Sequence, residues 1–157
     1  MAIVEVRIDD RLIHGQVCGY WIPQYKVERI LIIDNEVVND ESRKTLLKFG
    51  MPPGCKLSIF DTKKATEKLI KRIDEGIRVM ILCRGPEPLL ELVENGYKID
   101  HICVGNMSTK EGAKGLKRTV FVTPNEEETF KKLAKHGVKL VIQEKPTDTP
   151  DNLVNYL

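Results

Sequence analysis

The chain has 157 residues, a length that fits one domain, 1–157, with a sizeable core. Its net charge of +2 is too small to argue for a nucleic-acid partner, and 41% hydrophobic with 31% charged residues is an ordinary globular balance. No apolar run exceeds about five residues, so none spans a membrane, and no basic segment followed by an apolar stretch marks a secretory signal.

The first strand is expected at 2–8, and it runs out into Asp9, Asp10, Arg11 and His14. Gly15 follows, then a short helix over 16–21 that Pro23 should stop. Trp21, the only tryptophan, reads as core packing ahead of a partner-docking anchor. A second strand, 29–33, is apolar on consecutive positions, the pattern of a strand buried on both faces of a parallel sheet. It ends in Asp34, and a helix capped by Asn39 and stopped by Gly50 should follow.

The third strand, 56–60, ends in Asp61 and leads to a helix over 63–74 with Ala65, Leu69, Ile70 and Ile73 on one stripe. The fourth strand, 78–83, ends in Arg84, and Pro86 and Gly96 bracket the next helix. The fifth strand, 101–104, ends in Gly105-Asn106-Met107. Residues 108–118 show no clear periodicity and carry Lys110, Lys114, Lys117 and Arg118, read first as solvated surface and, more sharply, as a frame for an acidic or phosphorylated partner. A sixth strand, 119–122, precedes Thr123-Pro124-Asn125-Glu126, a capping box with proline at the first helical position. That helix ends at His136-Gly137, where a histidine favours the helix dipole. A seventh strand, 139–142, and a short terminal helix within 146–157 complete the chain.

Cys18, Cys55, Cys83 and Cys103 show neither CxxC spacing nor a histidine at a zinc-finger offset, so no metal site is expected and reduced thiols are. The alternation of strands and helices predicts a three-layer α/β/α fold around an open, mostly parallel sheet of six or seven strands. Ligands of such folds bind at the carboxyl ends of the strands. Asp9, Asp10, Arg11, His14, Asp34, Arg84 and Asn106 all fall there, whereas His101 starts its strand at the opposite edge.

The residue types around His14 suit a phosphoryl group. A neutral imidazole is a nucleophile near neutral pH, and phosphoryl transfer needs chiefly positioning and charge stabilisation. Arg11 and the backbone N–H groups of Gly15 and Gln16 can supply both, and Gly15 leaves room for an in-line approach. Asp9 or Asp10 can orient Arg11 or the imidazole, or can simply cap the loop. No metal or organic cofactor is required.

The unbroken string Arg7-Ile8-Asp9-Asp10-Arg11-Leu12-Ile13-His14-Gly15-Gln16-Val17 closely resembles the active-site loop of IIB proteins of the mannose/fructose/sorbose family of the bacterial sugar phosphotransferase system. Asp34 with its Val37-Val38-Asn39-Asp40-Glu41 helix start, the Val104-Gly105-Asn106-Met107 turn and the Gly137-Val138-Lys139-Leu140 strand extend the resemblance over essentially the whole chain. The resemblance implies a phosphocarrier enzyme of that system, in which His14 takes a phosphoryl group from the phosphohistidine of a IIA protein. It then passes the group to a sugar during uptake through the membrane IIC/IID pair. It implies that Arg11 holds the phosphoryl oxygens; Asp10, next to Arg11 in the loop, is counted with it in the catalytic set. The family's strand order puts strands four and five on either side of strand one. That order favours Arg84 and Asn106 as supporting residues; Asp9 and Asp34 are candidates for the same role by their place at the strand ends. The resemblance also implies a homodimer, cytoplasmic and peripherally associated with the permease.

Two readings of other classes compete. A receiver-type domain phosphorylated on aspartate would want a lysine directly after strand five, where Asn106 stands. A nucleotide-binding module would want a glycine-rich first turn, and this one has a single glycine. The sugar itself is left open.

Overall fold

A computed structural model describes residues 3–72 and 75–157. Ala2, expected at the head of the first strand, and Ile73 and Asp74, expected at the end of the third helix, lie outside the described residues.

Runs such as Ile30-Leu31-Ile32-Ile33 bury side chains alternately to both sides, which only a sheet covered on both faces satisfies. The strands are β1 (Ile3–Asp9), β2 (Arg29–Ile33), β3 (Lys56–Phe60), β4 (Val79–Cys83), β5 (His101–Asn106), β6 (Lys114–Lys117), β7 (Val120–Val122), β8 (Lys139–Ile142) and β9 (Asp151–Asn152). Among the described residues seven of them form one sheet in the order β3-β2-β4-β1-β5-β8-β9, parallel except for β9. β1 lies between β4 and β5, as the family's strand order led one to expect.

The helices are α1 (Ile22–Tyr25), α2 (Glu41–Phe49), α3 (Thr62–Ile70), α4 (Glu87–Glu94) and α5 (Pro124–Lys135). One face of the sheet packs Ile30, Ile32, Met80 and Leu82 against Trp21, Ile22, Val37 and Leu47 from the α1 and α2 side. The other packs Leu31, Ile33, Ile81 and Val104 against Ala65, Leu69, Leu89, Phe130 and Leu133 of α3, α4 and α5. Right-handed crossovers running in opposite directions from the centre put the helices on opposite faces. The crevice where this direction reverses lies at the carboxyl end of β1.

The structure corrects several expectations. The first helix does not stop at Pro23. A π-helical turn, Val17–Trp21, widens the backbone and feeds α1, in which Pro23 takes an early position where its missing N–H costs little. The cap of α2 is Asp40, whose carboxylate accepts from the Arg43 N–H, while Asn39 belongs to a 3-10 turn, Val37–Asn39. The sixth strand stands outside the main sheet. β7 pairs antiparallel with β6, so the aperiodic 108–118 segment contains half of a hairpin. The tail forms β9 and a 3-10 turn, Leu153–Tyr156. The capping box of α5 forms as read, with Thr123 and Glu126 bonded reciprocally.

Candidate functional site

β1 sends Val6 and Ile8 into the apolar core and turns Glu5, Arg7 and Asp9 to the other face, all three buried. Asp9 is the last residue of the strand, and the chain then reverses sharply. The Leu12 N–H donates to the Asp9 carbonyl at 3.0 Å, and Leu12 adopts a left-handed backbone with φ of 60°. Such a conformation costs a leucine on the order of 1 kcal/mol or more. Complete burial of the Leu12 side chain beneath the loop offsets it. This turn brings His14 back over Asp9.

The Asp9 carboxylate is the hub. Its Oδ2 lies 2.9 Å from His14 Nε2 and accepts from Arg11 Nη2 at 2.9 Å, and its Oδ1 accepts from Arg11 Nε at 3.0 Å and from the Arg11 N–H at 3.1 Å. Burial works against the ionised form, yet the hydrogen bonds from His14 and Arg11 hold this carboxyl below its ordinary range. The same contact with Asp9 raises the Arg11 guanidinium above its usual value.

An ionised carboxylate only accepts, so His14 Nε2 carries the proton. The Gln16 N–H donates to His14 Nδ1 at 3.2 Å, so Nδ1 presents its lone pair. The imidazole is therefore fixed in one tautomer, with Nδ1 directed to the helix start. The Gln16 side chain closes the arrangement, its Oε1 accepting from Arg11 Nη2 at 3.0 Å. Gly15 has open space where a Cβ would stand.

The structure does not bring Asp10 to the imidazole. Its carboxylate accepts from Asn106 Nδ2 at 2.8 Å and from the Ser108 N–H at 2.7 Å, so it ties the β1 turn to the end of β5. Asn106 thus reaches the site through Asp10. Asp34 and Arg84 form a two-pronged pair across the ends of β2 and β4, with Arg84 Nη2 to Asp34 Oδ1 at 2.9 Å, and Arg84 also approaches Glu36 at 3.5 Å. Burial opposes ionisation of Asp34, but Arg84 and two backbone N–H groups keep its carboxyl low. This pair lines an open cleft of about 500 Å³ that it shares with Asp10, Lys110 and Glu126.

The basic loop is largely neutralised within the chain. Lys110 pairs with Glu126, Lys114 with Glu127 and Lys117 with Asp151, at 2.8, 3.0 and 2.6 Å, and Arg118 lies 3.5 Å from Glu144. His101 pairs with the buried Glu5 at the far end of β1, away from the site as expected. Among the described residues no group of three or more His, Cys, Asp or Glu is placed to hold a metal ion. Sequence reasoning missed the Gln16 side-chain bridge and the burial of Arg7. The alternation of Arg7 with Asp9 on one face of β1 was the available signal.

A histidine with one nitrogen tied to a buried carboxylate, set beside a guanidinium at the switch point of a parallel sheet, defines a protein that can take up and release an anionic group. Comparisons with known proteins give that class its family. Residues 3–157 match the family model for the phosphotransferase-system sorbose subfamily IIB component. The chain is 34% identical to the sorbose-specific EIIB component of Lacticaseibacillus casei, over 98% of this chain and 94% of that one. It is 38% identical to the mannose-specific EIIAB component of Escherichia coli, over 94% of this chain and 46% of that longer protein. The crystal structure of the IIBSor domain of the sorbose permease from Klebsiella pneumoniae superposes with a TM-score of 0.93 at 35% identity, covering 99% of this chain and 96% of that one. The chain belongs to the sorbose/mannose family of IIB components, the phosphotransferases that act in sugar uptake by this system.

Proposed function

We propose that His14 is the residue that carries the phosphoryl group, and that it does so on Nδ1. The observation that supports this most directly is the tautomer. The Asp9 contact at 2.9 Å keeps the proton on Nε2 and leaves the Nδ1 lone pair available. That lone pair attacks the phosphorus of a phosphohistidine on the IIA donor. The donor's P–N bond breaks, and its imidazole keeps the electron pair. His14 then holds a phosphoryl group while Asp9 stabilises the positive charge that develops on the ring.

Arg11, half-exposed on its outer side and pre-aimed by Asp9 and Gln16, binds the phosphoryl oxygens, and the Gln16 N–H turns from Nδ1 to one of them. In the second transfer a sugar hydroxyl oxygen attacks the phosphorus. The P–N bond to His14 breaks, Nδ1 recovers its lone pair, and the hydroxyl proton leaves to water. Asp10, with Asn106, fixes the loop and does not touch the reacting ring. Asp34 and Arg84 shape the neighbouring cleft.

The mannose-specific relative is named as an EIIAB component, which supports a IIA protein as the donor. The acceptor side is the sugar held by the membrane IIC/IID pair, and the chain works in the cytoplasm against that permease. Among the described residues no helix is long and apolar enough to cross the membrane, in keeping with that place. The four cysteines are free, in keeping with a reducing compartment. Leu46 and Phe49, 71% and 87% exposed on α2, are in keeping with a homodimer, which sedimentation equilibrium tests.

The site assignment is tested by 15N-histidine NMR of the phosphorylated protein. A 31P coupling to His14 Nδ1, with Nε2 protonated, is expected. Coupling to Nε2 would overturn the assignment.

A further inference from the structure

Arg7 is the largest charged side chain completely withdrawn from solvent, at 0% exposure, and among the described residues no carboxylate forms a close ion pair with it, Glu5 and Asp9 acting on it only at longer range. Its guanidinium is held by neutral groups. Nη1 donates to the Gln143 carbonyl at 3.0 Å and to Cys103 Sγ at 3.1 Å, and Nη2 donates to the Glu144 carbonyl at 2.9 Å. Its plane lies over the Trp21 ring, 4.1 Å from the centroid, and Trp21 Nε1 donates to that same Glu144 carbonyl at 2.9 Å. The Arg7 Nε atom has no partner among the described residues. A Cβ at position 105 would fall on the guanidinium, so Gly105 is the opening through which it fits.

An unpaired buried cation is costly, and a methionine would fill this space without that cost. The arrangement therefore needs a reason beyond stability. Two features supply it. Arg7 precedes Asp9 by two residues, so both side chains stand on the same face of β1, one pleat apart. The elements that Arg7 holds also both frame the site. Trp21 ends the π-helical turn that begins just after Gln16, and Glu144 is one of the carboxylates, after Asp9 and Asp10, whose charge acts on Arg11.

We propose that Arg7 is a positioning residue for phosphoryl transfer: its buried positive charge lies beneath the Asp9–His14–Arg11 constellation, and its clamp on Trp21, Gln143 and Glu144 sets where the His14 loop sits. The charge favours the ionised Asp9 on which the His14 tautomer depends. It also attracts the phosphoryl oxygens across a medium with little water to screen it. The groups that face Arg7 are Glu5 and Asp9 from β1, Cys103 from β5, Trp21 from the π-helical turn, the Tyr25 phenol of α1, which burial keeps protonated with its pKa raised to about 12, and the two carbonyls after β8. Glu5 is engaged by His101 at the far end, and burial holds Cys103 as the thiol, its pKa raised to about 12. Asp9 is thus the one carboxylate facing Arg7 that belongs to the transfer site.

This inference rests on His14 being the phosphorylated residue, and its test separates the two. Wild type, Arg7→Met, Arg7→Lys and Gly105→Ala are compared by the pH profile of phosphoryl transfer from phosphorylated IIA. In the unphosphorylated proteins they are compared by the 13C titration of the Asp9 carboxyl, a readout that needs no phosphoryl donor. Arg7→Met should move the Asp9 titration upward and the acid limb of the transfer profile to higher pH. Arg7→Lys keeps a charge but loses the fork and the stacking. It should hold the acid limb near wild type while the rate falls by about 100-fold, the scale of a misplacement of about 1 Å. Gly105→Ala, which displaces the guanidinium but removes no charged group, should lower the rate in the same way. A folded Arg7→Met protein with unchanged Asp9 titration and transfer would overturn the proposal. If Arg7→Met does not fold, full transfer by both Arg7→Lys and Gly105→Ala would overturn it equally.

Discussion

Replacing Asp9 with asparagine exchanges one oxygen for an NH₂ group at the centre of the site and leaves its shape. The wild-type carboxylate receives four contacts between 2.9 and 3.1 Å, from His14 Nε2 and from three nitrogens of Arg11, while itself fully buried. An amide can present one oxygen and one NH₂, so it can satisfy Arg11 or the imidazole, not both. If the oxygen stays with Arg11, the NH₂ faces His14 Nε2 and forces the proton to Nδ1, which removes the nucleophilic lone pair. The same change beneath the histidine of a serine-protease triad, through the same wrong tautomer, lowers the rate by about 10⁴. At about 1.4 kcal/mol per decade this is roughly 5 kcal/mol of transition-state stabilisation.

Rapid-quench transfer from phosphorylated IIA, with the wild type alongside, reads the loss directly. A folded Asp9→Asn protein within tenfold of wild type would refute the tautomer argument. The substitution also has a stability signature. The Asp9 carboxyl is held below its ordinary range, so its contribution is present above the unfolded carboxyl pKa of about 3.9 and is lost as pH falls through the lower folded value. The stability gap between wild type and Asp9→Asn should therefore close on acidification below about pH 4.

Removing Asp34 as Asp34→Ala leaves the Arg84 guanidinium, among the described residues, with only its 3.5 Å contact to Glu36 and takes the acceptor from two backbone N–H groups. It should cost about 2–4 kcal/mol in urea unfolding while phosphorylation of His14 persists. Leu12→Gly relieves a left-handed leucine but deletes a completely buried side chain, and the second effect is the larger. A net loss of about 2 kcal/mol in the same assay is expected. The Glu5–His101 pair raises the histidine's pKa, so its stabilisation is full below the unfolded histidine value of about 6.5 and disappears as pH rises through the higher folded value. His101→Ala should accordingly lower Tm more at pH 6 than at pH 9, and an equal loss at both would contradict the pairing.

The architecture was legible because consecutive apolar residues such as Ile30–Ile33 admit few arrangements, and because Thr123 and Glu126 announce a helix start locally. The site was legible at its centre, where Asp9, Arg11 and His14 follow one strand within six residues and the chain must bring them close. What escaped depended on direction and on distant partners. Asp9 and Asp10 are chemically identical in the sequence, and only the pleat decides that one meets His14 and the other Asn106. Pro23 reads as a stop unless a π-helical turn precedes it. The four cations of 110–118 look like a basic patch until Glu126, Glu127, Glu144 and Asp151 arrive from elsewhere in the chain. Arg7 looks like the solvated side of an alternating strand, and its burial comes from Trp21 and the segment after β8, well over a hundred residues away.

The central claim, that His14 relays the phosphoryl group, is tested most directly by intact mass. The protein is incubated with phosphoenolpyruvate, the general phosphotransferase components and a cognate IIA, beside His14→Gln. One acid-labile, alkali-stable phosphoryl adduct on wild type and none on the variant is the predicted result. No adduct from a demonstrably phosphorylated IIA, or an adduct that survives in the variant, would contradict it.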